Sequence, residues 1–280
     1  MFSSHGARLT ALTLSILAVV CTLFALAAPA QTAPDQYVAL GDSFSSGVGT
    51  NSYTLSSSCR RGVYAYPWLV AQQRANTSLT FVACSGASTA DVMASQIQLV
   101  NAETDIVTIT IGGNDIGFSS IAEDCFTLQR TGSPCRDQYV QNGRDEISER
   151  IAATAPKVAA VFQGIHERSP QARVFVLTYA AIFPEEGDFG CWPQMPVADG
   201  DIVYLREKQK ELNAMLVQQA GLNGVGVIDW YQASIGHDAC KPPGIRWVEP
   251  AVPANAAAPI HPNLGGMLGA SELLTAALGG

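Results

Sequence analysis

The sequence predicts an α/β domain whose mainly parallel sheet is covered by helices on both faces. Five short runs rich in β-branched or aromatic residues recur at intervals too long for hairpins, and helical patterns occupy the spaces between them. Parallel neighbours need long crossovers, which are usually helices, so this alternation implies parallel order. In such sheets the working site lies beyond the carboxyl ends of the strands. The segments that follow each strand therefore matter most.

Strands are expected at Tyr37 to Leu40, Leu79 to Val82, Ile106 to Ile111, Arg173 to Leu177 and Val225 to Ile228. Helices are expected at Pro67 to Asn76, Thr89 to Val100, Ile147 to His166, Ile202 to Ala220 and Gly266 to Leu278. The third follows Asp145 and Glu146, whose charges suit a helix N-terminus. After the first strand comes GDSFSSG, after the second CSGAS, after the third GGNDIG, and after the fourth a long loop from Ala180 to Asp199.

Residues 1–30 hold Arg8, the apolar run Leu12 to Ala28 and a small-residue site at Ala28-Pro29-Ala30, the pattern of a secretory signal. The run is almost long enough to be an uncleaved anchor, but no later segment approaches a membrane span. Residues 31–280 show no repeat and no linker between globular halves, so one domain is expected. That domain is expected to be extracellular and monomeric, with no stable membrane insertion after the signal is cut.

The formal net charge of −8 becomes one unit more negative without the signal. Nucleic acid and anionic membrane surfaces are poor partners for such a chain, since both need basic clusters. Removing Cys21 leaves Cys59, Cys84, Cys125, Cys135, Cys191 and Cys240. An even count in an exported chain favours disulfides. The six fall in order as three separated couples, which suggests 59 with 84, 125 with 135 and 191 with 240 among the fifteen possible pairings. A metal site is disfavoured: CxxC is missing, and only His237 lies close to a cysteine, Cys240.

Ser43 in YVALGDSFSSG is a nucleophile only if a base takes its proton, and histidine is the usual base. His5 lies in the signal, His166 ends a predicted helix and His237 precedes Cys240, which leaves His261 in APIHPN. Pro259 and Pro262 restrict the backbone around His261 and could fix the direction of its ring. Acyl transfer also needs donors for an oxyanion. Gly86 after the second strand and Asn114 after the third are suitable, although small residues after strands often mean only a turn. Dinucleotide and P-loop fingerprints are missing, as is the GxSxG elbow.

Taken together, GDSFSSG with Ser43, CSGAS with Gly86, GGND with Asn114 and HPN with His261 resemble the four blocks of the SGNH hydrolases, also called the GDSL esterase and lipase family. They stand in family order and span nearly the whole mature chain. The cysteine layout and TIGGNDIGF resemble the secreted actinobacterial esterase and lipase branch. The resemblance implies a three-layer α/β/α sandwich with a flavodoxin-like five-stranded parallel sheet of order 2-1-3-4-5. It also implies an esterase or lipase that cleaves small or lipid acyl esters through an acyl-enzyme on Ser43. His261 would be the base, the oxyanion would meet Ser43, Gly86 and Asn114, and no cofactor or metal would be required.

Two departures stand out. Phe44 occupies the place of the motif's Leu, exchanging one apolar residue for another. Ala258 occupies the place of the acid three residues before the histidine, so the backbone carbonyl of Ala258 is expected to orient His261. Glu249 and Asp229 are the alternative carboxylates. Phospholipase and carbohydrate acetyl esterase share the expected machinery, and a secreted binding protein that has kept only the fold is the non-enzymatic alternative. Phe118, Ile121, Phe126, Ile182, Phe183 and Trp192 fall in loops expected to border the site and suit an acyl chain.

Overall fold

The computed structural model describes residues 1–2, 33–187, 192–252 and 258–279. The expected signal lies outside the described residues apart from its first two, and so does Cys191 of the third expected disulfide. Residues Pro34–Gly280 form one compact unit. No described helix is long and apolar enough to cross a membrane.

All five expected strands form, as β1 (Asp35–Ala39), β2 (Thr77–Phe81), β3 (Ile106–Ile109), β4 (Arg173–Leu177) and β5 (Gly226–Ile228). They pair in the order 2-1-3-4-5, every pair parallel. All four residues of β3 are buried. Because successive side chains point to opposite faces, both faces of the sheet must be covered.

The helices are α1 (Ser43–Ser46), α2 (Tyr66–Gln73), α3 (Thr89–Ala94), α4 (Phe118–Cys125), α5 (Pro134–Tyr139), α6 (Glu146–Arg168), α7 (Asp199–Leu222), α8 (Trp230–Ala233) and α9 (Leu264–Leu278). They cover the sheet in two packed groups, α2 with α9 and α8, and α3 with α6 and α7. The expected helix from Thr89 to Val100 is shorter. It stops at Ala94, and a 3₁₀ turn over Gln96–Leu99 completes the segment. The turn has a purpose: the buried Gln96 side chain accepts from the Gly41 amide at 2.7 Å and donates to the Gly41 carbonyl at 2.9 Å.

Helix starts follow the expected capping chemistry. Asp145 accepts from the Ile147 and Ser148 amides at the head of α6, and Ser88 forms a capping box with Asp91 at α3. Three short helices, α4, α5 and α8, have too few turns to leave a periodic signature. Cys59–Cys84 and Cys125–Cys135 are bonded, as their order suggested. The second bridge joins α4 to α5, and Asp201 of α7 holds the same region. Asp201 is fully buried and accepts from the Cys135 amide at 3.0 Å and the Arg136 amide at 2.9 Å.

Replacing Asp201 with Ala strips two amides of α5 of their acceptor. The expected cost is about 3 kcal/mol, from the penalty for unpaired polar groups at a buried site. Urea unfolding of Asp201→Ala checks it, with Asp201→Asn falling between that variant and wild type.

Candidate active site

The ends of β1, β2 and β3 bring three of the four expected residues together, and the turn before α9 supplies the fourth. Ser43 opens α1, whose N-cap Asp42 accepts from the Phe44 amide at 3.0 Å. His261 sits where the chain returns from its last loop, and its Nε2 lies 2.9 Å from Ser43 Oγ. Its Nδ1 lies 2.7 Å from the carbonyl oxygen of Pro259. A carbonyl can only accept, so Nδ1 carries the ring proton and Nε2 presents its lone pair to the Ser43 hydroxyl. The base is therefore in the tautomer that can take a proton from serine.

This geometry corrects one expectation: the carbonyl on the ring belongs to Pro259, one residue nearer than Ala258. The cause is Ile260, which adopts a left-handed φ of 54° and turns the Pro259 carbonyl back under the imidazole. A β-branched residue resists that conformation, at a cost of roughly 1–3 kcal/mol. Backbone bonds hold it there. The Ile260 amide donates to the Glu249 carbonyl at 2.9 Å, and the Glu249 amide donates to the His261 carbonyl at 3.0 Å.

Neither alternative carboxylate meets the ring. Glu249 is buried, paired with Arg246 at 2.6 Å, and its second oxygen accepts from Asn263 at 2.9 Å. Asp229 caps α8 through the Gln232 amide. Glu249 thus braces the backbone of the His261 loop while its carboxylate is spent on other partners. Gly49 presses on the same loop from the serine side: at φ 105° an added Cβ would meet the Pro262 carbonyl at 2.4 Å and His261 Cβ at 3.0 Å.

Gly86 has φ 85° and open space where a side chain would be. Among the described residues, the Ser43 and Gly86 amides donate to no acceptor. Asn114 spends one amide proton on the Ala87 carbonyl at 2.9 Å, which ties it to the Gly86 loop and leaves the other proton free. Three donors are therefore left unspent at the ends of β1, β2 and β3, the kind of group an oxyanion needs.

Sequence reasoning missed the network beneath these residues. Asp42 is 1% exposed and accepts from Thr110 Oγ1 at 2.6 Å and Tyr179 Oη at 2.5 Å. Tyr179 in turn accepts from the Gly113 amide at 2.8 Å, next to Asn114. Thr110 also bonds Ser45 Oγ at 2.9 Å, and Ser45 bonds Tyr66. Asp42 stands inside the GDS block, where its nearness to Ser43 was a usable signal; Tyr179 follows β4 with nothing local to mark it.

Beside Ser43 and Asn114 a pocket of about 90 Å³ runs into the protein, walled by Phe118, Ile121, Phe126, Ile182, Phe183 and Met195 among others. Five of the six residues expected to border the site are there. Trp192 is not among them. Phe44 packs edge-on against Tyr179 and Trp230, so the exchange of Leu for Phe fills core space.

Burial shifts the two titrating groups in opposite directions. Loss of water around the imidazole lowers His261 to about 4, against a smaller upward pull from the Pro259 carbonyl and with a further downward push from the charge of Arg60. Loss of water raises Asp42 to about 6 despite its three donors. The stability linkages oppose each other as well. His261 contributes stability that is full above its unfolded value and lost as pH falls through about 4. Asp42 contributes stability that is full below its unfolded value and lost as pH rises through about 6.

With a neutral ester, kcat/KM is expected to hold through mildly acidic pH and to fall as pH drops through about 4, with the His261 ring titrating there by NMR. A ring that titrates near 6.5 contradicts the desolvation described above. Glu249→Gln is expected to lose about 3 kcal/mol in denaturant unfolding by breaking the buried pair, while that acidic limb stays in place.

The family model for GDSL-like lipases and acylhydrolases matches residues 39–267. Lipase 2 of Streptomyces coelicolor is 38% identical over 251 residues, spanning 85% of this chain and 84% of its own. The crystal structure of an extracellular lipase from Streptomyces rimosus superposes with a TM-score of 0.76 at 32% identity, covering 87% of this chain and 99% of that one. That of phospholipase A1 from Streptomyces albidoflavus gives 0.76 at 30%, with the same two shares. A serine and histidine in hydrogen-bond contact above a 2-1-3-4-5 sheet, and relatives of this closeness, make the chain a member of the GDSL-like lipase/acylhydrolase family.

Proposed function

We propose that this carboxylic ester hydrolase works through an acyl-enzyme on Ser43, with His261 as base and then acid, in a single domain exported behind the signal of residues 1–30. The observation that carries the assignment is the 2.9 Å contact between Ser43 Oγ and a His261 Nε2 whose partner nitrogen is held protonated by Pro259.

In the acylation step Ser43 Oγ attacks the ester carbon while its proton passes to Nε2. The oxyanion that forms is met by the Ser43 and Gly86 amides and the free proton of Asn114, groups worth roughly two to three powers of ten in rate for each good donor. Collapse expels the alkoxide, which takes the proton from Nε2. Water then repeats the sequence on the acyl-enzyme, returning the acid and free Ser43.

A carbonyl stabilises the imidazolium less than a carboxylate would, and the ring's depressed pKa fits a base charged only transiently. The apolar walls beside Ser43 support a medium or long acyl group over acetate, which has no use for such a pocket. That favours lipid esters over acetylated carbohydrate.

A p-nitrophenyl ester series tests both parts. Ser43→Ala is expected to lose at least about a thousandfold in kcat at unchanged stability. Asn114→Ala should lose about a hundredfold. From acetate upward, kcat/KM should rise by about fourfold per methylene until the pocket is full, the equivalent of about 0.8 kcal/mol per buried CH₂. A series that peaks at acetate sinks the acyl-pocket assignment.

A further inference from the structure

The GGND segment after β3 has one member to which the proposed mechanism gives no part. Gly113 donates its amide to Tyr179, and Asn114 is the proposed side-chain donor to the oxyanion, but among the described residues Asp115 bonds neither Ser43 nor His261. Its carboxylate turns sideways instead. Oδ2 accepts from the Thr89 amide at 2.9 Å and Oδ1 from the Thr89 hydroxyl at 2.5 Å, and Thr89 is buried.

Sheet order gives that contact its meaning. β2 and β3 are not neighbours, because β1, the strand that leads to Ser43, lies between them. No ladder bond therefore joins the loop with Gly86, after β2, directly to the loop with Asn114, after β3. Two adjacent side chains do so. Asn114 donates to the Ala87 carbonyl at 2.9 Å, and Asp115 grips Thr89 two residues further on. The β3 loop is a closed turn that can transmit the grip: the Ile116, Gly117 and Phe118 amides donate back to the Gly112, Asn114 and Gly113 carbonyls at 3.2, 3.1 and 3.0 Å.

The partner chosen on α3 also has a physical reason. Thr89 opens that helix, and its amide is one of the first-turn donors that no helix carbonyl can reach. Ser88 serves the Asp91 amide from within the helix, whereas the Thr89 amide is served by the other loop. A carboxylate that accepts from an amide and a hydroxyl together fixes both direction and distance, and such charge-assisted bonds are roughly twice as strong as neutral ones.

We propose that Asp115 is a positioning residue for the reaction: its two bonds to Thr89 hold the free Asn114 amide proton and the Gly86 amide at the spacing that an oxyanion requires. Donors of this kind act only when they are aimed in advance, and small displacements are costly in rate. Asp115 itself does not meet the substrate. The inference rests on the assignment of Gly86 and Asn114 as donors in the acyl-enzyme reading.

The test separates positioning from a capping bond that merely stabilises α3. Kinetics on p-nitrophenyl hexanoate are paired with inhibition by an octyl trifluoromethyl ketone. Ser43 Oγ adds to the ketone carbon, its proton passes to His261, and the carbonyl oxygen becomes the oxyanion that the donors serve. Asp115→Ala is expected to lower kcat about thirtyfold at a KM within about threefold, and to weaken the ketone by a similar factor. Asp115→Asn can keep both bonds, its oxygen accepting from the amide and its nitrogen donating to the Thr89 hydroxyl, and should stay within about threefold of wild type. Thr89→Val loses one of the two bonds and should fall between them. In an Asn114→Ala background the Asp115→Ala loss should shrink to about threefold or less, because the donor it positions is gone.

A folded Asp115→Ala with kcat within about threefold of wild type overturns the inference, as does a loss confined to KM or unchanged ketone binding. So does an Asp115→Asn as impaired as Asp115→Ala, or an undiminished loss in the Asn114→Ala background. If Asp115→Ala does not fold, Thr89→Val decides, and wild-type kcat and ketone binding there overturn the inference. If instead Asn114→Ala leaves kcat and ketone binding unchanged, the underlying donor assignment fails.

Discussion

A buried carboxylate that bonds neither Ser43 Oγ nor His261 holds the site together. Asp42 ties the end of β1 to Thr110 beyond β3 and to Tyr179 beyond β4, and it caps the short helix that begins at Ser43. Through Tyr179 it reaches the Gly113 amide, beside the side chain expected to meet the oxyanion. Each of these groups would be costly to bury alone, and as a connected set they lock one arrangement of three strand ends. The close approach of Gly41 follows from the same packing: a Cβ there would meet the Thr110 carbonyl at 2.5 Å. Serine position, donor position and sheet are thus parts of one network.

The histidine is held differently. Among the described residues no acid bonds the ring; a strained turn orients it. Ile260 in a left-handed conformation, the Glu249 backbone on both sides, and Gly49 against His261 Cβ fix the ring by sterics and main-chain bonds. Main-chain groups do not titrate, so the acceptor that holds Nδ1 does not itself change with pH. The charge that a conventional triad would place beside the ring lies instead in the Arg246–Glu249 pair, which bonds Asn263, the cap of α9. An acid has been moved from chemistry to scaffold.

Legibility in the sequence followed the physics of each signal. The five strands were readable because buried parallel strands are apolar runs, and the long helices α6, α7 and α9 because several turns of periodicity accumulate. The helices α4, α5 and α8 were not, being too short. Ser43, Gly86 and Asn114 stood out because each follows a strand end in a short block, and His261 because two prolines flank it; the structure brings Ser43 and His261 into contact. Tyr179 could not be found that way, since its role depends on a contact across 137 positions with Asp42. The Pro259 carbonyl was misplaced by one residue because a positive φ at isoleucine has no local sequence signal.

The serine and the histidine that meet at 2.9 Å lie 218 residues apart in the chain. On the proposed reading, the base for Ser43 comes from the far end of the chain. A growing chain can already possess the serine, Gly86 and Asn114 while still lacking its base, and it acquires the base only when the turn before α9 docks against Gly49. On that reading the site is complete only once the residues just before α9 are in place. A chain truncated shortly before His261 would keep all five strands and Ser43 but lack the proposed proton acceptor.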